Sequence, residues 1–310
     1  MNVALILFEL ARNSFIRREV WGEEIDAEGI RKAFLRRTEV ETCDIHTVNT
    51  YIALRDAGVL PSYDLAIHFF EPTIVIPGAI NFLYFQQFYD LARHDLVQLC
   101  KTFDRVFTPS QKIAARHTQI DYLPLAVDSE LYYPLESNQA VEFSSDILFI
   151  GNAHIRETDI YEELLSPLLT NRLAIFGARW NQAEYQKWGK SWRGILPVDQ
   201  ARNAYAGTKV ALSIHNQSYL RDLGFVTARP FHSLACGKAT VSDTNSALVE
   251  LLPSESSGLQ HASTSRDFVK YVTELLEETE MRKELGAKGR DFVIRNHNWD
   301  LRIDQLLATL

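Results

Sequence analysis

Cysteine is scarce in this chain. Cys43, Cys100 and Cys236 are far apart, odd in number and form no Cys-x-x-Cys. That argues against a disulfide framework or a cysteine zinc site and for a reducing compartment. Basic charge is also short: 32 Lys and Arg against 40 Asp and Glu leave a net charge of −8. Arg17-Arg18 and Arg36-Arg37 are pairs rather than a tract, so no nucleic-acid partner is expected. No stretch reaches the roughly 18 apolar residues needed to span a bilayer. The apolar start at 3–8 is cut by Glu9 and has no basic leader, so it does not read as a signal peptide and a cytoplasmic protein is expected. Gly-x-Gly-x-x-Gly and Walker A loops are missing, which disfavours dinucleotide oxidoreductases and P-loop proteins. Asp-x-Asp is missing as well; no metal site and no cofactor are expected.

What is present is a regular alternation. The 310 residues, 46% hydrophobic and 23% charged, suit two ordinary domains with a core each. Apolar β-type runs at 3–8, 40–48, 65–70, 80–85, 105–108 and 120–123 alternate with helix-length segments. The pattern restarts at 146–151, 172–177, 191–195, 208–214, 239–242 and 258–260. Such alternation predicts parallel sheets with crossover helices, an α/β fold of two Rossmann-like βα domains. The polar stretch 136–142 after Pro134 separates them. We therefore expect an N-terminal domain over 1–138, a second over 139–295 and a closing helix over 296–310 with Trp299, Leu301, Ile303, Leu306 and Leu307 on its apolar side.

The most informative stretch runs from Gly224 to Asp243. Arg229 precedes Pro230, which biases Arg229 away from the α region and suits Pro230 to a first helical turn. A helix from about Pro230 to Cys236, stopped by Gly237, is predicted. Thr227, Ala228 and Arg229 then lie at its open N-terminus, where unpaired N–H groups favour a phosphate and Arg229 can add a forked contact.

Thr227, Arg229, Phe231, Ala235, Cys236, Gly237 and Asp243 resemble the donor-binding signature of GT-B glycosyltransferases with a family 4-type donor domain, and of the CgeB-like group in particular. The resemblance implies two domains facing across a cleft, a last helix crossing back to the first, and a nucleotide-sugar donor. His232 stands where the group has a Glu that holds the ribose hydroxyls, and Gly224 where related retaining enzymes have a second carboxylate. If His232 faces the ribose, donor affinity should vary near its ordinary pKa of about 6.5.

Other candidates follow from strand ends, outside which ligands of open α/β sheets bind. Gly151 ends an apolar run and leads into Asn152, His154 and Arg156; Gly177 ends another and leads into Arg179 and Trp180. These are candidate donor contacts. The resemblance places Gly194 and Ile195 against the base. Asp222 is a candidate for the sugar hydroxyls. In the first domain His68 and Glu71, with Asp90 as a third choice, are candidate general bases for an acceptor hydroxyl. The combined reading is a metal-independent glycosyltransferase, leaning towards retention, acting on an unknown glycan, protein or small-molecule acceptor. Its rivals are a nucleotide-sugar epimerase on the same fold and a non-catalytic GT-B-like binding or structural protein.

Overall fold

The computed structural model describes residues 1–8, 22–69, 75–86, 95–135, 143–153, 157–215 and 223–310. The first sheet comprises β1 (Asn2–Leu7), β2 (Thr42–Thr47), β3 (Leu65–His68), β4 (Ile80–Tyr84), β5 (Arg105–Thr108) and β6 (Ile120–Tyr122) in the order β2-β1-β3-β4-β5-β6. Every pairing is parallel. Helices α1 (Gly22–Leu35), α2 (Val48–Asp56), α3 (Leu96–Thr102) and α4 (Gln111–Arg116) connect them. β1 reads Asn-Val-Ala-Leu-Ile-Leu and is buried almost throughout, as a strand covered on both faces requires.

The second sheet runs β11-β10-β9-β7-β8 and is also parallel. Its strands are β7 (Ser145–Ile150), β8 (Leu173–Phe176), β9 (Thr208–Ser213), β10 (Ala239–Asp243) and β11 (Gln260–Ala262). The helices of this half are α5 (Thr158–Leu164), α6 (Ala201–Ala206), α7 (Arg229–Ala235), α8 (Ser246–Leu251), α9 (Ser254–Ser257), α10 (Ser265–Glu277) and α11 (Thr279–Asn296). The run expected at 191–195 is not a full strand. It clings to the β8 edge through Ile175 N–H to the Ser191 carbonyl, Arg193 N–H to the Ile175 carbonyl and Gly177 N–H to the Gly194 carbonyl, at 2.8–3.0 Å. The expected domain junction falls on 136–142, outside the described residues.

The chain ends in α12 (Trp299–Leu307), which packs back on α1 of the first sheet. Trp299 meets Gly29 so closely that a Cβ there would lie 2.6 Å from its indole nitrogen, and its ring stands edge-on to Tyr84. Arg302 is buried and donates to the Pro124 carbonyl at 2.9 Å. Outside, Arg36 and Arg37, just past the end of α1, pair with Asp300 and Asp304.

A second tie runs in the same direction. Phe225, which precedes α7, is fully buried among Leu83, Phe85, Leu99, Phe103 and Ile113 of the first half. Ser110 at the start of α4 donates to the Leu223 carbonyl, and Gly224 faces the Lys112 side chain.

Candidate functional site

In the second sheet β7 is followed by β8 on one side, while β9 pairs on its other side. The chain reverses direction of winding there, and the crevice at such a switch point is where α/β sheets bind ligands. Arg229 occupies it. Its Nη2 donates to the Ile214 carbonyl beyond β9 at 3.0 Å, and its guanidinium lies 5.7 Å from the Phe149 ring of β7. A Cβ on Gly151 would stand 3.4 Å from Arg229 Nη1 and 2.9 Å from Phe149, so only glycine leaves this approach open.

Three glycines continue from Arg229 along the strand ends. Gly151 closes β7, and Gly177 follows β8 with φ +147°, where a Cβ would overlap the Gly151 carbonyl. Gly177 N–H reaches the Gly194 carbonyl at 3.0 Å, and Gly194, at φ +96°, has open space above it. Asn152 Oδ1 accepts from Ala178 N–H at 2.9 Å, and Trp180 Nε1 donates to the Gly151 carbonyl at 2.7 Å. Trp180 is fully buried against Tyr161 and Trp188; it supports the trough from below and does not line it. Arg179 is exposed and is the one non-glycine with positive φ, 68°, among the described residues. Beyond Gly194 opens a cleft of about 760 Å³ bordered by Phe176, Trp192, Gly194, Ile195 and Pro197.

The helix expected at Pro230 begins one residue earlier, and Ala228 is its N-cap without a side-chain hydrogen bond. His232 is buried and stacks on Tyr132 of the segment leaving the first sheet, with ring centroids 3.9 Å apart and planes 6° from parallel. Burial, and then the neighbouring Arg229 charge, lower its pKa to about 3. The expected titration near 6.5 is therefore corrected: a buried ring beside a guanidinium stays neutral well below that pH.

His68 ends β3, is 1% exposed, and holds Asn81 Oδ1 through Nε2 at 2.9 Å. Asn81 in turn bonds to Ile76 and Ala79. Burial lowers the His68 pKa to about 4. The ring braces the 76–81 turn and offers little surface to an acceptor. Glu71, Arg156 and Asp222, with His154 and Asp90, lie outside the described residues.

Two groups were not singled out in the sequence. His215 follows β9 and is fully buried; its backbone N–H and Nδ1 both face Asp243 Oδ1, at 2.6 and 3.2 Å, and its Nε2 lies 3.0 Å from Thr227 Oγ1. Its signal was a polar residue at a strand's carboxyl end. On the opposing half, Asp26 in the first turns of α1 is buried and accepts from Gln86 Nε2 at 3.2 Å. Burial raises its pKa to about 8, so it is protonated at neutral pH. Among the described residues no group of three His, Cys, Asp or Glu is arranged to hold a metal ion, and no helix is long and apolar enough to cross a membrane.

Residues 156–308 match the model of a family described as glycosyl transferase-like. No curated protein matches the chain. Solved structures do so over their whole length. A sucrose-phosphate synthase from Thermosynechococcus elongatus superposes with a TM-score of 0.71 at 11% identity, covering 100% of this chain and 99% of the other. Anabaena HepE, in complex with UDP and glucose, gives 0.66 at 12% identity and 99% of both chains. An alpha-glucosyltransferase in complex with UDP and a 13-mer DNA gives 0.66 at 12%, covering 100% of this chain and 99% of that one. The two parallel-sheet domains are the GT-B fold of these glycosyltransferases.

Proposed function

We propose that this GT-B chain is a glycosyltransferase of the CgeB-like group, moving a hexosyl unit from a nucleoside-diphosphate donor to a hydroxyl acceptor. One observation carries the reading: Arg229 stands at the switch point of the second sheet, at the head of a trough floored by Gly151, Gly177 and Gly194. The length of trough suits an extended ligand with an anionic group at one end and a flat group in the cleft beside Ile195. In transfer the sugar takes on oxocarbenium character while charge grows on the leaving diphosphate. A preorganised guanidinium stabilises that charge more than the ground state, which is what accelerates the step. With no Asp-x-Asp in the sequence, Arg229 and the exposed Arg179 are the groups proposed to meet the diphosphate without a metal, and retention is the proposed stereochemistry.

The test is calorimetry with UDP, GDP and ADP, followed by product analysis with the matching nucleotide sugars in excess EDTA. Arg229→Ala should weaken diphosphate binding by roughly 1.5–3 kcal/mol, the scale of a charge-assisted hydrogen bond. Undiminished affinity in that variant would remove Arg229 from the site. Turnover lost to chelator and restored by manganese would end the metal-independent reading.

A further inference from the structure

The buried group behind the donor trough fixes the direction of one hydrogen bond. Asp243 Oδ1 already accepts the backbone N–H of His215 at 2.6 Å, so the oxygen is an acceptor, and His215 Nδ1 at 3.2 Å must carry the proton. Ser242 agrees. Its hydroxyl donates to the Asp243 carbonyl at 3.1 Å, which leaves a lone pair towards His215 Nδ1 at 3.2 Å. A neutral imidazole with its proton on Nδ1 offers only a lone pair at Nε2. Thr227 Oγ1, 3.0 Å away, therefore gives its proton to His215. Having spent its single donor inward, the hydroxyl of the half-buried Thr227 has only lone pairs left for a further partner.

A group of that kind repels phosphate oxygens and accepts from a hydroxyl. Resting on the donor reading above, we infer that Thr227 is a specificity residue that accepts a hydrogen bond from a hydroxyl of the donor, on its sugar or its ribose, and does not bind the diphosphate. Asp243 and His215 are positioning residues that hold Thr227 in this polarity. This role concerns the Thr227 side chain and stands beside the expectation that backbone N–H groups at the helix N-terminus meet a phosphate. His215 also lies between cation and hydroxyl, since Arg229 is held by the carbonyl of the adjacent Ile214.

The experiment compares wild type, Thr227→Val and Thr227→Ser, folded state checked by circular dichroism. Binding is measured for UDP, 2′-deoxy-UDP, 3′-deoxy-UDP and UDP-glucose, with the guanosine and adenosine counterparts if UDP does not bind. Thr227→Val should lose about 3- to 10-fold in affinity, the range of one neutral hydrogen bond, while Thr227→Ser keeps it. If the loss is confined to the nucleotide sugar, the sugar hydroxyl is the partner. If it extends to the diphosphate but vanishes with one deoxy-diphosphate, the partner is that ribose hydroxyl. Equal losses for every ligand would make Thr227 a phosphate contact and overturn the inference. Wild-type binding of the nucleotide sugar with no loss in Thr227→Val would overturn it too, leaving the donor reading intact. Wild type that binds no nucleotide at all would overturn both.

Discussion

Single residues set the protonation of this molecule more than its surface does. His68, His232 and His297 have native pKa values lowered to about 4, 3 and 4, each mainly by burial. An unfolded His titrates near 6.5, so below that pH the unfolded chain takes up protons that the native chain refuses. Stability present above about 6.5 should be lost as the pH falls towards 4. Asp26, raised to about 8 by burial, acts in the opposite sense. Its native proton is retained after the unfolded carboxyl has lost its own, so stability present near pH 4 is lost as the pH rises towards 8. Denaturant unfolding across pH 4.5–8 should therefore show a maximum near 6.5. Asp26→Asn should flatten the alkaline flank and leave the acid flank in place. A wild-type profile that is level on both sides, or an unchanged alkaline slope in Asp26→Asn, would remove these groups as its cause. None of this was legible in the sequence, because burial is what moves each group.

At the scale of elements, nearly every apolar run became a strand, since alternation and length suffice to mark a buried parallel strand. The helix α11 was missed. It spans Thr279–Asn296, and just Gly286, Gly289 and Val293 of its eighteen residues are buried. It packs through glycines where other helices use an apolar stripe. A Cβ on Gly286 would overlap the Gly237 carbonyl, and one on Gly289 would lie 2.9 Å from the Ser257 carbonyl. Gly286→Ala should cost about 1–3 kcal/mol through overpacking against backbone, which has no rotamer to yield. Thermal unfolding is the measurement; a transition at the wild-type temperature would show that α11 can withdraw at no cost. The run at 191–195 failed in the other direction. It has strand composition, yet it meets β8 over three hydrogen bonds and then turns away at Gly194.

Two segments of the second half tie the whole molecule together. α12 leaves the second half to pack on α1, and Phe225 leaves it to fill the first half's core. Phe225 sits two residues before Thr227 and four before Arg229, so the segment carrying the proposed donor contacts is anchored in the opposite domain. Phe225→Ala should lower unfolding free energy by about 3–5 kcal/mol, the usual cost of emptying a buried aromatic site. Denaturant unfolding equal to wild type would mean the site collapses freely and the anchor is not needed. The ion pairs of Arg36 and Arg37 with Asp300 and Asp304 are partly exposed and should add little at ordinary salt.

Local chemistry in the sequence determined the two sheets, the helix at Pro230, the place of Arg229 before it and the closing helix. Strand periodicity, proline geometry and glycine stops act within a few residues, so they can be read along the chain. The polarity of Thr227, the neutrality of His232 against Tyr132 and the seat of Phe225 were decided only by the tertiary structure. Each depends on residues far apart in sequence: Asp243 behind His215, Tyr132 a hundred positions before His232, and a core built by β4, β5 and their helices. Burial and hydrogen-bond direction are properties of that assembled neighbourhood, and no single segment carries them.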